Sequence, residues 1–405
     1  MRERLLMFAT AGVLLLGFAD LARGGATLAP ILLVVGYLVL VPLSLSFAGR
    51  YDAPSPRAHR RQTAVERPTD GIKARRLTPS CRGLLLASPV LLVAFVPLVA
   101  NWHPAGRRGD YTTVAFAHDL LDSVEPYGVL VTYGDNDTFP LWYAQEVEGI
   151  RKDVTVAVLS LLNTDWYVRG IIRRPIYQYD EAKGPAIYRH ASWPKPSGSP
   201  MHLSVAQVDS IPDYILLRQP MVLHKAGLTA TVSPENLPRA ADGSGVLERK
   251  DIAVLRMIAD SWPQRPIYFS RTTGNYAGSL GLGTSTISQG LARKLFLPPA
   301  TPSRDTVDIR GSEWFDVPRS KALFMDVFRG PRAIEAHGDW VDRPSVGIPL
   351  AYIFVAEELA AVLRSQGQSA SAATVLDTGS RIARAVHEES TYAAIHNAWQ
   401  SVTPE

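Results

Sequence analysis

Two short stretches rich in acids, amides and aromatics carry side chains that could do chemistry. One is Thr132-Tyr133-Gly134-Asp135-Asn136-Asp137-Thr138-Phe139-Pro140-Leu141-Trp142-Tyr143, and the other is Asn163-Thr164-Asp165-Trp166-Tyr167. Carboxylates and amides just past the carboxyl end of a strand can coordinate a hard cation or accept hydrogen bonds from sugar hydroxyls. Trp142, Trp166 and Tyr167 can stack on sugar rings, although aromatics at helical spacing also build cores. The same residues have a structural use. Asp137 or Thr138 can cap a helix whose first turn contains Pro140, and Gly134 and Asn136 suit a turn. Both uses stay open, and Asp135, Asn136, Asp137, Asn163, Asp165, Trp142 and Trp166 are the candidate ligand-binding residues. None is assigned to catalysis or to a metal.

Other signals are weaker. Gly278 to Gly283 is glycine-rich but lacks the G-x-G-x-x-G spacing of a dinucleotide site, so it reads as a loop. The nine histidines show no metal-ligand spacing, and there is no G-x-S-x-G elbow. The single cysteine, Cys81, can form neither an intrachain disulfide nor a cysteine-based zinc site by itself. No cofactor is evident.

The elements that must position the candidates follow from hydrophobic periodicity. Asp110 to Val124 reads as an amphipathic helix, Gly128 to Tyr133 as a buried strand, Pro140 to Ile150 as a helix and Asp153 to Leu159 as a second strand. Two strands joined by a helix of this length form a βαβ unit. A third strand is expected at Arg265 to Ser270, after helical periodicity at Lys250 to Ser261. The expected fold is thus an α/β soluble domain with a parallel sheet. Residues 175 to 248 are rich in Pro, Gly and Ser, with short apolar runs such as Tyr214 to Leu217. Leu350 to Ser365, Ser369 to Val386 and Ser390 to Val402 read as consecutive helices, the first pair forming a tetratricopeptide-like hairpin. The domain boundaries read as 1–100, 101–345 and 346–405.

The first quarter has a different character. Leu5 to Ala19, Ala26 to Ala48 and Leu84 to Ala100 are apolar, and the expectation is about three α-helical transmembrane spans. The first also has the form of a signal peptide, with Arg2 and Arg4 ahead of the apolar run, but a hairpin with the second is the preferred reading. Between the second and third lies a loop, 49–82, with nine Lys and Arg against three acids. Basic residues in short loops beside spans mark the cytoplasmic side, so the N-terminus and this loop are expected inside and residues 101–405 outside. Residues 1–100 hold 12 of the 42 basic residues and 5 of the 38 acids, leaving 30 basic and 33 acidic residues elsewhere. A slightly acidic folded part argues against a nucleic-acid partner. The lipid bilayer is the expected partner.

The Thr132 to Tyr143 motif, its continuation through Gln145-Glu146-Val147-Glu148-Gly149-Ile150-Arg151-Lys152-Asp153-Val154, the Leu161 to Tyr167 stretch and Arg265-Pro266-Ile267-Tyr268-Phe269 form a set. Over roughly residues 84 to 300 they resemble the C-terminal region of a bacterial membrane-protein family now grouped with protein O-mannosyltransferases. That resemblance implies a GT-C type glycosyltransferase using a polyprenyl-phosphate-linked sugar. Its catalytic acid belongs to an early loop of a many-span N-terminal module with no counterpart in this chain, and Asp20 does not match it. The expectation is an accessory portion in the bacterial inner membrane that recognises acceptor protein or glycan, working with a separately encoded multi-span catalytic half. The alternative is a membrane-tethered extracytoplasmic binding module without transferase activity.

Overall fold

The structure, a computed structural model, describes residues 2–23, 28–42, 96–100, 102, 109–189, 191–309, 313–340 and 342–400. It divides into two units, Met1–Arg108 and Gly109–Glu405. Strands are numbered in chain order, as are helices of six residues or more.

In the first unit, helix α1 (Arg2–Ala22) packs on α2 (Leu28–Val34), which continues as a π-helical stretch, Val35–Leu40. Two glycines permit the close approach. A Cβ at Gly17 would press on Leu33 and one at Gly36 on the buried Leu14. Phe18 meets the Tyr37 ring edge-on at 6.5 Å. Phe8, Leu15, Leu16, Ile31 and Val39 face outward.

The expectation of about three spans is corrected. Among the described residues a single helix is long and apolar enough to cross a membrane, Arg343–Ser365, and 72% of its most apolar window is buried inside the second unit. The apolar part of α1, Phe8–Asp20, is shorter. Hydropathy cannot distinguish a helix wrapped by lipid from one wrapped by protein, and the helix that passes here is a core helix. The basic loop 49–82 and most of the third apolar stretch, 84–95, lie outside the described residues.

The second unit begins with α3 (Thr112–Asp122), then β1 (Val129–Thr132), α4 (Asp135–Trp142) with a π-helical extension Tyr143–Val147, β2 (Thr155–Val158) and α5 (Asp165–Arg173). β1 reads VLVT, and all four residues are buried, as expected of a strand covered on both faces. Two small antiparallel pairs follow. β3 (Tyr214–Leu217) pairs with β6 (Gly245–Glu248), and β4 (Met221–Lys225) pairs with β5 (Leu228–Val232). Ala226 and Gly227, both with positive φ, make the two-residue turn between β4 and β5. Helix α6 (Arg249–Ser261) leads to β7 (Ile267–Ser270), which lies parallel to β1 with Leu130 opposite Tyr268. β1 also runs parallel to β2, with Leu130 opposite Val156.

The sheet as a whole is mixed, which corrects the expectation of a parallel one. It has seven strands in the order β10-β11-β8-β9-β7-β1-β2. β8 (Thr286–Gln289) and β9 (Ala292–Leu295) are joined by the two-residue turn Gly290-Leu291, with Gly290 at φ 58°. So tight a connection can only return antiparallel, and β9 then pairs antiparallel with β7. β10 (Thr306–Ile309) and β11 (Glu313–Asp316) complete the far edge.

Helices α7 (Val317–Ala322), α8 (Gly330–His337), α9 (Gly347–Ser365), α10 (Ser369–Ala385) and α11 (Glu389–Gln400) close the unit. The tetratricopeptide-like hairpin is also corrected. A repeat hairpin contacts only its neighbours, whereas α9 buries 13 of its 19 residues and sends Tyr352 between Phe116 and Phe328 of the central core.

One glycine tests this packing directly. Gly281 has φ 71°, and a Cβ there would run into the Thr231 backbone of β5. Gly281→Ala is expected to cost about 1–3 kcal/mol in urea unfolding, the usual range for a forced left-handed residue.

Candidate functional site

Gly134, with φ 89° and ψ 170°, ends β1 and turns the chain into α4, so Asp135, Asn136 and Asp137 occupy the first helical turn. The helix receives no side-chain cap at Gly134. The Thr138 hydroxyl donates to the Gly134 carbonyl at 2.8 Å, while the Asp137 carboxylate crosses to the end of β7 and accepts from the Thr272 hydroxyl. Asp137 is fully buried, and burial pushes its carboxyl up to about 6 against hydrogen bonds from Thr272, Ser270 and the Tyr133 backbone. Asp135 is exposed. Asn136 donates to the Pro344 carbonyl at 3.4 Å and reaches the rim of a crevice of about 760 Å³ above the carboxyl ends of β1 and β7.

Asn163 and Asp165 follow β2 and face α6. The Asn163 Oδ1 accepts from the Lys250 backbone at 2.9 Å, and Asp165 pairs with Arg249 and, at 3.6 Å, with Arg169. These contacts fix the amino end of α6, where Glu248 and Asp251 also form a reciprocal capping box. Asp135 apart, the candidates fall in three places. Asn136 reaches the crevice, with Asp137 bonded to Thr272 in its lining. Asn163 and Asp165 hold α6.

Trp142 and Trp166 come together in the third place, a cleft of about 740 Å³ between the π-helical end of α4 and α5. Trp142 lies 6.4 Å from Tyr167, and Tyr167 meets Trp166 edge-on at 5.5 Å. Tyr167 also seals the open edge of the sheet. Its phenol donates to the Val156 carbonyl at 2.9 Å and accepts from the Val158 amide at 3.1 Å, taking ladder bonds that β2 lacks on that side. Burial pushes this phenol up to about 12, so it stays protonated and donating. Trp166 is 59% exposed and Tyr143 45% exposed, and both face the opening.

Charged groups line the rim. Arg174 pairs with Glu146 at 3.1 Å and lies over the Tyr177 ring at 5.6 Å. Hydrogen bonding from Lys152 holds the Glu146 carboxyl below its ordinary range, so it remains an acceptor. Sequence reasoning did not single out Arg173, Arg174, Tyr143 or Tyr177 as part of this site. Its available signal was α5 itself, with Tyr167, Val168 and Ile171 buried on one side and charged residues on the other, ending in Arg-Arg-Pro. Aromatic faces bordered by paired charges provide stacking surfaces together with donors and acceptors, the combination that fits pyranose rings. Among the described residues no group of three or more His, Cys, Asp or Glu is placed to hold a metal ion.

Residues 113–193 match the family model of TMEM260-associated domain 2, about a fifth of the chain, and the matched stretch contains β1, β2 and the aromatic cleft. The match fits a TMEM260-like family, TMEM260 being a protein O-mannosyltransferase. No curated protein and no solved structure matches the chain.

Proposed function

We propose that this chain is a glycan- or acceptor-recognising portion of a protein O-mannosyltransferase-like system at a bacterial inner membrane. The observation that carries the reading is the cleft of Trp142, Trp166 and Tyr167 with its Arg174–Glu146 rim, inside the segment similar to TMEM260-associated domain 2. The chain acts as an accessory that presents a glycan or acceptor protein to a separately encoded multi-span catalytic half. The polyprenyl-phosphate-linked donor is used by that half. The body lies on the extracytoplasmic side, with the N-terminus and segment 49–82 cytoplasmic. The nine basic residues of that segment and the outward apolar side chains of α1 and α2 support this placement.

Titration calorimetry of the full chain with α-linked manno-oligosaccharides and a mannosylated Ser/Thr peptide tests the reading. Saturable binding is expected. Trp166→Ala should weaken it by about tenfold or more, since about 1.4 kcal/mol is a modest share of what a stacked indole contributes. Trp166 is mostly exposed, so the fold should survive the change. Absence of binding to either ligand, or identical binding by the variant, would remove the proposal's support. Glycan binding with no catalytic half encoded beside the gene would favour a tethered binding module without a transferase connection.

A further inference from the structure

The crevice above β1 and β7 is a different kind of site from the aromatic cleft. Its floor is polar and charged, formed by Arg271, Thr272, Arg293 and Glu358, while Ile348, Phe354, Ile395 and Trp399 of α9 and α11 supply an apolar wall. A volume of about 760 Å³ lies within the range of small-molecule sites. Parallel strand ends, where the strand order departs from the parallel run, are also where α/β sheets bind ligands.

Two features of the floor are unsatisfied by the protein itself. Arg271 is spoken for, since it donates to the Gly290 carbonyl at 2.8 Å and pairs with Glu358. Arg293 is not. Its partners are the Gly274 carbonyl at 3.2 Å and, loosely, Glu313 at 3.8 Å, a poor complement for a guanidinium with five donors. Burial, then the neighbouring positive charge of Arg271, disfavour the charged form of Arg293. An anion placed beside it would relieve both. The other Glu358 oxygen, Oε1, is buried with no hydrogen-bond partner on a side chain only 1% exposed. Oε1 itself is covered, so a donor in the crevice reaches it once the carboxylate turns about its Cγ–Cδ bond.

We propose that this crevice is a second ligand site, for an amphipathic monocarboxylate with a hydrogen-bond donor next to its carboxylate, as in an N-acyl amino acid. The carboxylate pairs with Arg293, the adjacent amide N–H donates to Glu358 Oε1, and the acyl chain lies along Phe354 and Trp399. A single negative charge fits better than a phosphate dianion because Glu313 and Glu358 already stand in the lining.

The test is calorimetry of the full chain in neutral lipid nanodiscs with N-octanoylglycine, with empty discs subtracted. Saturable binding is expected, weaker by about tenfold or more for the methyl ester, which lacks the charge, and for N-acetylglycine, which lacks the chain. Arg293→Gln and Phe354→Ser should each lose binding by a similar factor, while Glu313→Gln, which frees Arg293, should strengthen it. Arg293→Gln should keep its response to the manno-oligosaccharide used for the aromatic cleft, and that shows it is folded. Equal binding of ester and acid, tighter binding of octyl phosphate, or no response to Arg293→Gln and Glu313→Gln together would overturn the assignment.

Discussion

Replacing Arg151 by Met is expected to destabilise the Gly109–Glu405 unit by about 3–5 kcal/mol, the cost of leaving a buried charge without its partner. Arg151 is 3% exposed and adopts φ 45°, a conformation in which bulky residues are uncommon. Its guanidinium donates to both oxygens of Asp153 at 3.0 Å and to the carbonyls of Leu121 and Val124, each at 2.9 Å. It also faces the Tyr179 and Tyr188 rings at 5.2 and 5.6 Å. The Leu121 and Val124 bonds satisfy carbonyls at the end of α3, while Asp153 receives the Tyr127 amide at 3.1 Å. One side chain thus ties the end of α3 to the turn that starts β2. Met would fill much of the volume yet strand Asp153 and Asp122, both almost fully buried. Urea unfolding of Arg151→Met measures the loss. The triple change with Asp122→Asn and Asp153→Asn should recover part of it, because the buried charges leave together. A loss below about 1 kcal/mol for the single variant would show that the network contributes little.

Arg151 also shows where sequence reading reached its limit. The run Arg151-Lys152-Asp153 stands in the motif that carried the family resemblance, and its spacing alone cannot tell a solvated basic pair from a buried clamp. Strands β1, β2 and β7 were legible because a strand buried on both faces needs an uninterrupted run such as VLVT or IYFS. The other half, antiparallel apart from the parallel pairing of β11 with β8, was not. β8 and β9, TISQ and ARKL, mix polar with apolar residues, and the turn between them, Gly290-Leu291, lacks the Asn-Gly or Asp-Gly pair that announces a hairpin. α9 was legible as a helix, but its partner was not, since an apolar helix records burial and not what buries it. The same ambiguity split the candidate site. Asp and Asn at strand ends look alike whether they face a ligand or a helix terminus. Only the long-range contacts of Asp137 with Thr272 and of Asn163 with Lys250 decide which neighbour each one meets.

A pH series separates these buried carboxyls from the exposed ones. Asp119 is fully buried beneath Arg329, Gly330 and Tyr352, which all donate to it, yet burial pushes its carboxyl up to about 7, and that of Asp137 goes to about 6. An unfolded aspartate releases its proton near 3.9. Between that value and the folded one, the native state holds a proton that the unfolded chain has lost, so the proton stabilises the fold. That contribution is complete below about pH 4 and is lost as the pH rises, through about 6 for Asp137 and about 7 for Asp119. At about 1.4 kcal/mol per unit, the swing is on the order of 3 kcal/mol for Asp137 and 4 kcal/mol for Asp119. Asp137→Asn should therefore flatten the stability profile between pH 4 and 8 by about that 3 kcal/mol, and Asp119→Asn by about 4. The informative quantity is the change in slope. An amide that misplaces a donor costs about 1–3 kcal/mol at every pH, but a constant offset cancels when each variant is compared with itself across the series. Parallel profiles for wild type and Asp137→Asn would mean that Asp137 is ionised in the folded protein throughout. Otherwise the lining of the crevice carries a neutral acid behind Thr272 at mildly acidic pH, and its electrostatic field is set by Arg271, Arg293, Glu313 and Glu358.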